Sequence, residues 1–287
     1  MLFVEARQKF LVGLVAQDKS QETINGYDKD LGMVQRFLES KYNCQIYLED
    51  IKTQDIEDYL LMLKEEKGYQ PASRNRHLNT LRSFYKYATK KGWVKDNPTL
   101  PLEQVKVPRK ERQYLTEEEF FQLLEVIDHQ LIQLVVRFLY FTGLRISECL
   151  NLTIDDVNLE EGWIHVRQGK GNKERFVPIS SKLKPYLEDY KENWRVETDS
   201  NIFFATKKTG RLSDVYVNRV LAEATAKLGW KKKVTCHILR HSFASQLVKK
   251  NVNPVNIQKL LGHADLKTTS VYVHANQEQL AEAVNVL

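Results

Sequence analysis

The sequence predicts a mainly α-helical protein with a small antiparallel β-sheet, divided into a small helical domain and a larger mixed α/β domain. Residues 2–16, 20–40, 53–67 and 71–91 each repeat apolar side chains at a spacing near 3.6. The following stretch, NPTLPLEQVKVPRKERQYLT, carries Pro98, Pro101, Pro108 and four basic residues, a linker composition stiffened by proline. Beyond it, helical patterning resumes but is interrupted by two short β-type runs, WIHVRQ and RFVPI, around GKGNKE.

Each element has its own signal. The first helix carries Glu5, Arg7 and Lys9 inside its apolar pattern, so it reads as an amphipathic helix and not a cleaved leader. Asp18 or Ser20 can cap the second helix, and Thr53 with Glu57 the third. The punctuation from Gly68 to Pro71 separates the third and fourth. In the fourth, Leu78, Leu81, Tyr85 and Ala88 form a core stripe, while Asn75, Asn79, Arg82, Lys86 and Lys90 fall mainly on another face. A second domain begins near Tyr114, where Thr116 and Glu119 make a capping box for a helix over 117–127. Further helices are expected at 131–142, 145–151, 182–193, 213–228, 238–250 and 254–261, with IFFA (202–205) as a third strand. Leu280, Ala283, Val284 and Leu287 suggest a short terminal helix. The predicted limits are a helical domain over 1–97, a linker over 98–113 and a mixed domain over 114–287.

Composition bounds the function. The 287 residues are 42% hydrophobic and 28% charged, an ordinary globular balance. No run of about 18 apolar residues exists, so no membrane span is expected. Three scattered cysteines, Cys44, Cys149 and Cys236, suggest a reducing compartment without a disulfide framework. The formal net charge is +6, but residues 71–112 alone carry eleven Lys/Arg and three acids. That segment is +8 and the rest of the chain −2, the footprint of a polyanion site. Arg, Lys and Asn together can contact both phosphates and base edges. The candidate DNA-binding set is therefore Arg74, Asn75, Arg76, Asn79, Arg82 and Lys86 on the fourth helix, with Lys106, Arg109, Lys110 and Arg112 in the linker. Two domains joined by a basic strap suit a clamp around duplex DNA, with strongly salt-dependent binding.

Four clusters in the second domain carry candidate chemistry. In TGLRISE, Gly143 ends one helix, and Glu148 can orient Arg145 at i+3. Taken alone, this is a surface ion pair. In GKGNK, a glycine-rich tip can hold Lys170 or Lys173 out into a groove; it lacks the Walker A pattern and alone reads as a tight turn. In HILRH, His237, Arg240 and His241 share one helix face, a pairing suited to a phosphate. His237 and His241, with Cys236 adjacent, also have metal-ligand spacing, but HExxH is absent because Ile238 stands at the second position. Fourth, LGH places His263 nine residues before Tyr272. Breaking a phosphodiester needs cations for its oxygens, an in-line nucleophile and an acid for the leaving oxygen.

The order of these motifs resembles the tyrosine recombinase (phage integrase) family, most closely its Xer-type and transposon or phage integrase branches. The resemblance is strong over 113–287 and looser over 1–100, which is similar to that family's helical core-binding (SAM-like) domain. It implies that Arg145 and Arg240 clamp the scissile phosphate and that Lys170 protonates the 5′-hydroxyl leaving group. His237 would assist phosphate binding and proton handling, and His263 would bind the phosphate or assist Tyr272. Tyr272 would attack to give a 3′-phosphotyrosine, with Glu148 supporting the site. It further implies a dimer on one DNA site, a homo-tetramer on two, a Holliday junction, and no metal, ATP or other cofactor. Accessory DNA-bending or directionality proteins are compatible partners, and a cytoplasmic, nucleoid-associated location follows. The segment 277–287 would dock on a neighbouring protomer, the alternative being packing on its own domain. Because the helices begin almost at residue 1, no extra arm-binding domain is expected, which favours a simple Xer-like or resolvase-like enzyme. Other readings are strand cleavage of the type IB topoisomerase kind, a DNA-binding regulator without chemistry, and a metal-dependent nuclease.

Overall fold

The structure is a computed structural model that describes residues 1–108, 113–167 and 174–262. The chain forms two compact units, Met1–Lys110 and Glu111–Leu287.

The first unit contains four α-helices: α1 (Phe3–Val15), α2 (Gln21–Tyr42), α3 (Thr53–Glu65) and α4 (Pro71–Lys90). Phe3, Ala6, Phe10 and Leu14 line the inner face of α1, and α4 contributes the expected stripe of Leu78, Leu81, Tyr85 and Ala88. Helices α1 and α4 approach closely because Gly13 leaves room for the Tyr87 ring. Of the two expected caps for α2, Ser20 is the one used, accepting from the Thr23 N–H. The expected cap of α3 is corrected. Asp55, not Glu57, accepts the Lys52 N–H at 2.9 Å, Glu57 is exposed, and the Thr53 hydroxyl donates to the Pro98 carbonyl at 3.0 Å. Asp55 wins because its short side chain reaches back over the first turn.

The second unit wraps its core around α6 (Gln130–Thr142), whose residues are buried on nearly every side. It is preceded by α5 (Glu117–Glu125), closed by reciprocal Thr116 and Glu119 hydrogen bonds as the capping box predicts. After α7 (Ile146–Leu150) comes a three-stranded antiparallel sheet: β1 (Val157–Asn158), β2 (Trp163–Val166) and β3 (Arg175–Pro178). Ile164 pairs with both Val157 and Val177, and all three face the core. IFFA is not the third strand. Ile202 makes only an isolated bridge to Thr153, while Phe203 and Phe204 are buried as core anchors. The third strand is β1, too short for a period-2 signal. The remaining helices are α8 (Lys184–Asp189), which continues as a π-helical turn, α9 (Asp214–Lys227), α10 (Cys236–Lys249) and α11 (Pro254–Leu261). Helix α10 packs on α6, and α11 packs on both α10 and β3. These contacts bring the ends of α6 and α11, the start of α7 and one end of β3 together. The expected terminal helix over 280–287 lies outside the described residues.

Candidate phosphate-binding site

Helices α6 and α11 both end at a glycine in the left-handed region, Gly143 (φ +65°) and Gly262 (φ +62°). A helix C-terminus presents unpaired carbonyls and partial negative charge, which a cation can satisfy. Arg240 does this for both helices. Its Nη1 donates to the Gly143 carbonyl and its Nη2 to the Leu261 carbonyl, each at 2.6 Å. Gly143 is also required sterically, since a Cβ there would collide with the Phe243 ring.

Arg145 stands at the N-cap of α7 and forms a closed ring with Glu148. Its backbone N–H donates to Oε2 at 2.8 Å and its Nη1 to Oε1 at 2.7 Å. Arg240 Nη1 approaches the same carboxylate to 4.0 Å. Glu148 is buried. Burial alone would raise its pKa, but hydrogen bonds and charge from Arg175 and Arg145 overcome this and hold the carboxyl below its usual range.

Thr235 caps α10, and the helix starts at Cys236, two residues earlier than expected. His237 is exposed at its start, and the His237 and His241 rings meet edge to face at 4.3 Å between centroids. Cys236 turns the other way into the core, where burial pushes its thiol up to about 12, a poor state for metal ligation. Lys170, Lys173, His263, Tyr272, Arg109, Lys110 and Arg112 lie outside the described residues.

Four of the six candidate DNA-binding residues of α4 have intramolecular hydrogen bonds. Asn75 donates to the Val105 carbonyl at 2.8 Å and accepts the Val105 N–H at 3.0 Å. Asn79 accepts from Gln104 at 2.8 Å, and Arg82 donates to the Leu102 carbonyl. Arg76 donates to Asp30 at 2.6 Å. Arg74 is half-buried, and Lys86 and Lys106 are exposed.

Arg175, which the sequence motifs do not single out, is the main addition to the site. It grips both oxygens of the same Glu148 carboxylate, with Nη1 to Oε1 at 3.1 Å and Nη2 to Oε2 at 2.7 Å. The available signal was strand alternation: Val177 faces the core, so Arg175 does too, and an inward arginine demands a carboxylate.

Comparison with known proteins accounts for both units. Residues 113–279 match the phage integrase family and residues 8–92 the phage integrase N-terminal SAM-like domain. Tyrosine recombinase XerA of Pyrococcus furiosus is 36% identical over 98% of this chain and 93% of its own. The XerH site-specific recombinase, solved bound to its difH substrate, is 25% identical with a TM-score of 0.70, over 94% of this chain and 81% of its own. The Tn1549 transposon integrase, solved with a circular intermediate DNA, shares the fold at a TM-score of 0.81 and 19% identity, over the full length of both chains. With its two units matched in order and nearly its whole length aligned to a recombinase, the chain belongs to the phage integrase family of tyrosine recombinases.

Proposed function

We propose that the protein is a site-specific recombinase that cuts and rejoins duplex DNA through Tyr272, with no metal or nucleotide cofactor. The observation that carries this reading is the convergence of Arg145 and Arg240, far apart in sequence, on one buried carboxylate beside two helix C-termini. Two fixed guanidiniums suit the non-bridging oxygens of a phosphodiester, whose negative charge grows in the transition state. The Tyr272 hydroxyl attacks phosphorus and passes its proton to His263 or to solvent as the P–O bond forms. The bond to the 5′-oxygen breaks, and Lys170, or its rival Lys173, protonates the departing oxygen. His237 and His263 assist at the phosphate and in proton handling. The 3′-phosphotyrosine ester conserves the energy of the broken bond, so the 5′-hydroxyl of a partner strand can displace the tyrosine without ATP. Repetition on a second pair of strands passes through and resolves a Holliday junction.

In this reading the protein binds as a dimer on one site and a homo-tetramer on two, with segment 277–287 docking between protomers. Accessory DNA-bending or directionality proteins would choose between integration, excision and resolution. The predicted place of action is the cytoplasmic nucleoid.

Covalent trapping tests the chemistry. Wild type and Tyr272→Phe are incubated with labelled duplex from the flanks of the protein's own gene, in EDTA, then denatured in SDS. A labelled, SDS-resistant band is expected in wild type alone. The same band in Tyr272→Phe overturns the assignment.

A further inference from the structure

We infer that Arg175 is a positioning residue for this chemistry: it gives Glu148 a counter-charge of its own, so that the buried carboxylate stays matched when Arg145 turns to phosphate. The inference rests on the phosphoryl-transfer reading above and adds a residue to it.

Arg175 makes a two-pronged fork on Glu148 and uses its Nε to hold the Leu260 carbonyl at 2.9 Å. The pair is sealed from solvent, with side chains 10% and 3% exposed. A carboxylate so buried must be matched by cation. If Arg145 were its only close partner, the two charges would cancel, and binding an anion at Arg145 would mean pulling it off Glu148. With Arg175 in place, Glu148 keeps a two-pronged guanidinium partner when Arg145 engages an anion. Arg145 can then meet the negative charge that develops on the non-bridging oxygens of a phosphodiester under attack.

A Cβ on Gly262 would come within 2.9 Å of Arg175 Nη1. Gly262 therefore supplies both the left-handed turn and the room for the guanidinium. By holding Leu260 and filling the space beside Gly262, Arg175 fixes the point where the chain leaves α11, directly before His263 in sequence. One side chain thus ties β3, α7 and the end of α11 to the same carboxylate.

The test compares wild type, Arg175→Gln, Arg175→Lys, Glu148→Gln and the double variant R175Q/E148Q. Two quantities are measured: affinity for the labelled duplex, and the single-turnover rate of forming the SDS-resistant adduct at saturating protein. Arg175→Gln is expected to slow adduct formation by about 10- to 100-fold, the scale of a displaced catalytic group, with affinity nearly unchanged. Arg175→Lys, which keeps the charge, retains most of the rate. The double variant is faster than R175Q, because the unmatched carboxylate is gone; a purely structural role for Arg175 gives no such rescue. A wild-type rate in R175Q, or a double variant no faster than R175Q, overturns the inference. So does a loss confined to affinity, which would make Arg175 a direct DNA contact. If R175Q does not fold, R175K decides: a loss as large as that from Arg145→Ala overturns the proposal. Absence of an adduct in wild type overturns the phosphotyrosine reading and this inference with it, whereas an adduct in wild type with R175Q unaffected overturns the inference alone.

Discussion

Each unit holds a buried carboxylate bonded to arginine, Asp30 in the first and Glu148 in the second, and the two are built differently. Asp30, in α2, is 1% exposed and accepts from Arg76 at 2.6 Å and Thr80 at 3.0 Å, both on Oδ2. Its Oδ1 lies 3.6 Å from His77 Nε2, and His77 in turn pairs with the Tyr59 hydroxyl at 2.9 Å. Arg76 itself is 50% exposed. This cluster balances one carboxylate against one arginine and pins α2, α3 and α4 together. Glu148 instead gathers three arginines, two in direct hydrogen bonds and the third at 4.0 Å. A matched buried pair is a structural device, whereas several fixed guanidiniums gathered on one carboxylate suit the binding of an anion.

Substitutions on the two sides should therefore fail in different ways. Arg240→Ala is expected to slow adduct formation by about 10²- to 10³-fold, the scale of losing one preorganised charge donor, as read from single-turnover trapping. Asp30→Asn is expected to leave that rate near wild type while lowering unfolding stability by about 1–2 kcal/mol, as read from urea melts. Equal losses of rate from both variants would erase the distinction between the clusters.

Acid should separate the clusters next. Burial, opposed in part by the Asp30 carboxylate, holds the His77 imidazole below its ordinary value. The unfolded chain then takes up a proton before the folded one. His77's contribution is intact above about pH 6.5 and is lost as pH falls below it. Glu148 is shifted down from the carboxylate range, so its contribution is present above about pH 4.5 and persists until pH falls through its lower folded value. Between pH 7 and 5.5 the urea midpoint should fall through His77, and His77→Asn should flatten that slope. An unchanged slope in the variant would move the acid-sensitive group elsewhere.

Much of this was legible in the sequence, for physical reasons. Long amphipathic helices such as α4 announce their buried stripe, and the Thr116–Glu119 box announces the start of α5, because both signals are local. Arg145, Glu148 and Arg240 were visible as types in order, but their meeting on one carboxylate depends on α6, α7, α10 and α11 packing together, which no local signal encodes. Arg175 was hidden among the lysines and glutamate of GKGNKER, where it reads as one more solvated charge. Asp30 was hidden because an aspartate inside an amphipathic helix reads as a surface residue until Arg76 and Thr80 are seen beside it. β1 was too short to show a period, and IFFA, apolar throughout, reads as a strand although only Ile202 bridges.

The smallest expected effects sit on α4, where the same comparison can be drawn residue by residue. Lys86 is exposed, and as a phosphate contact its loss should weaken binding to all duplexes alike and lower the log–log salt slope by about one. Asn75 is held by both polar atoms of Val105, so it serves the protein's own backbone. Asn75→Ala should cost up to about 1 kcal/mol of stability and speed proteolysis around residues 102–105, with little change in sequence preference. A loss of discrimination between DNA sequences in Asn75→Ala, with stability intact, would mean that the amide leaves Val105 to read a base. The helix face that the sequence marks for DNA would then be covered by the protein's own segment only until DNA arrives.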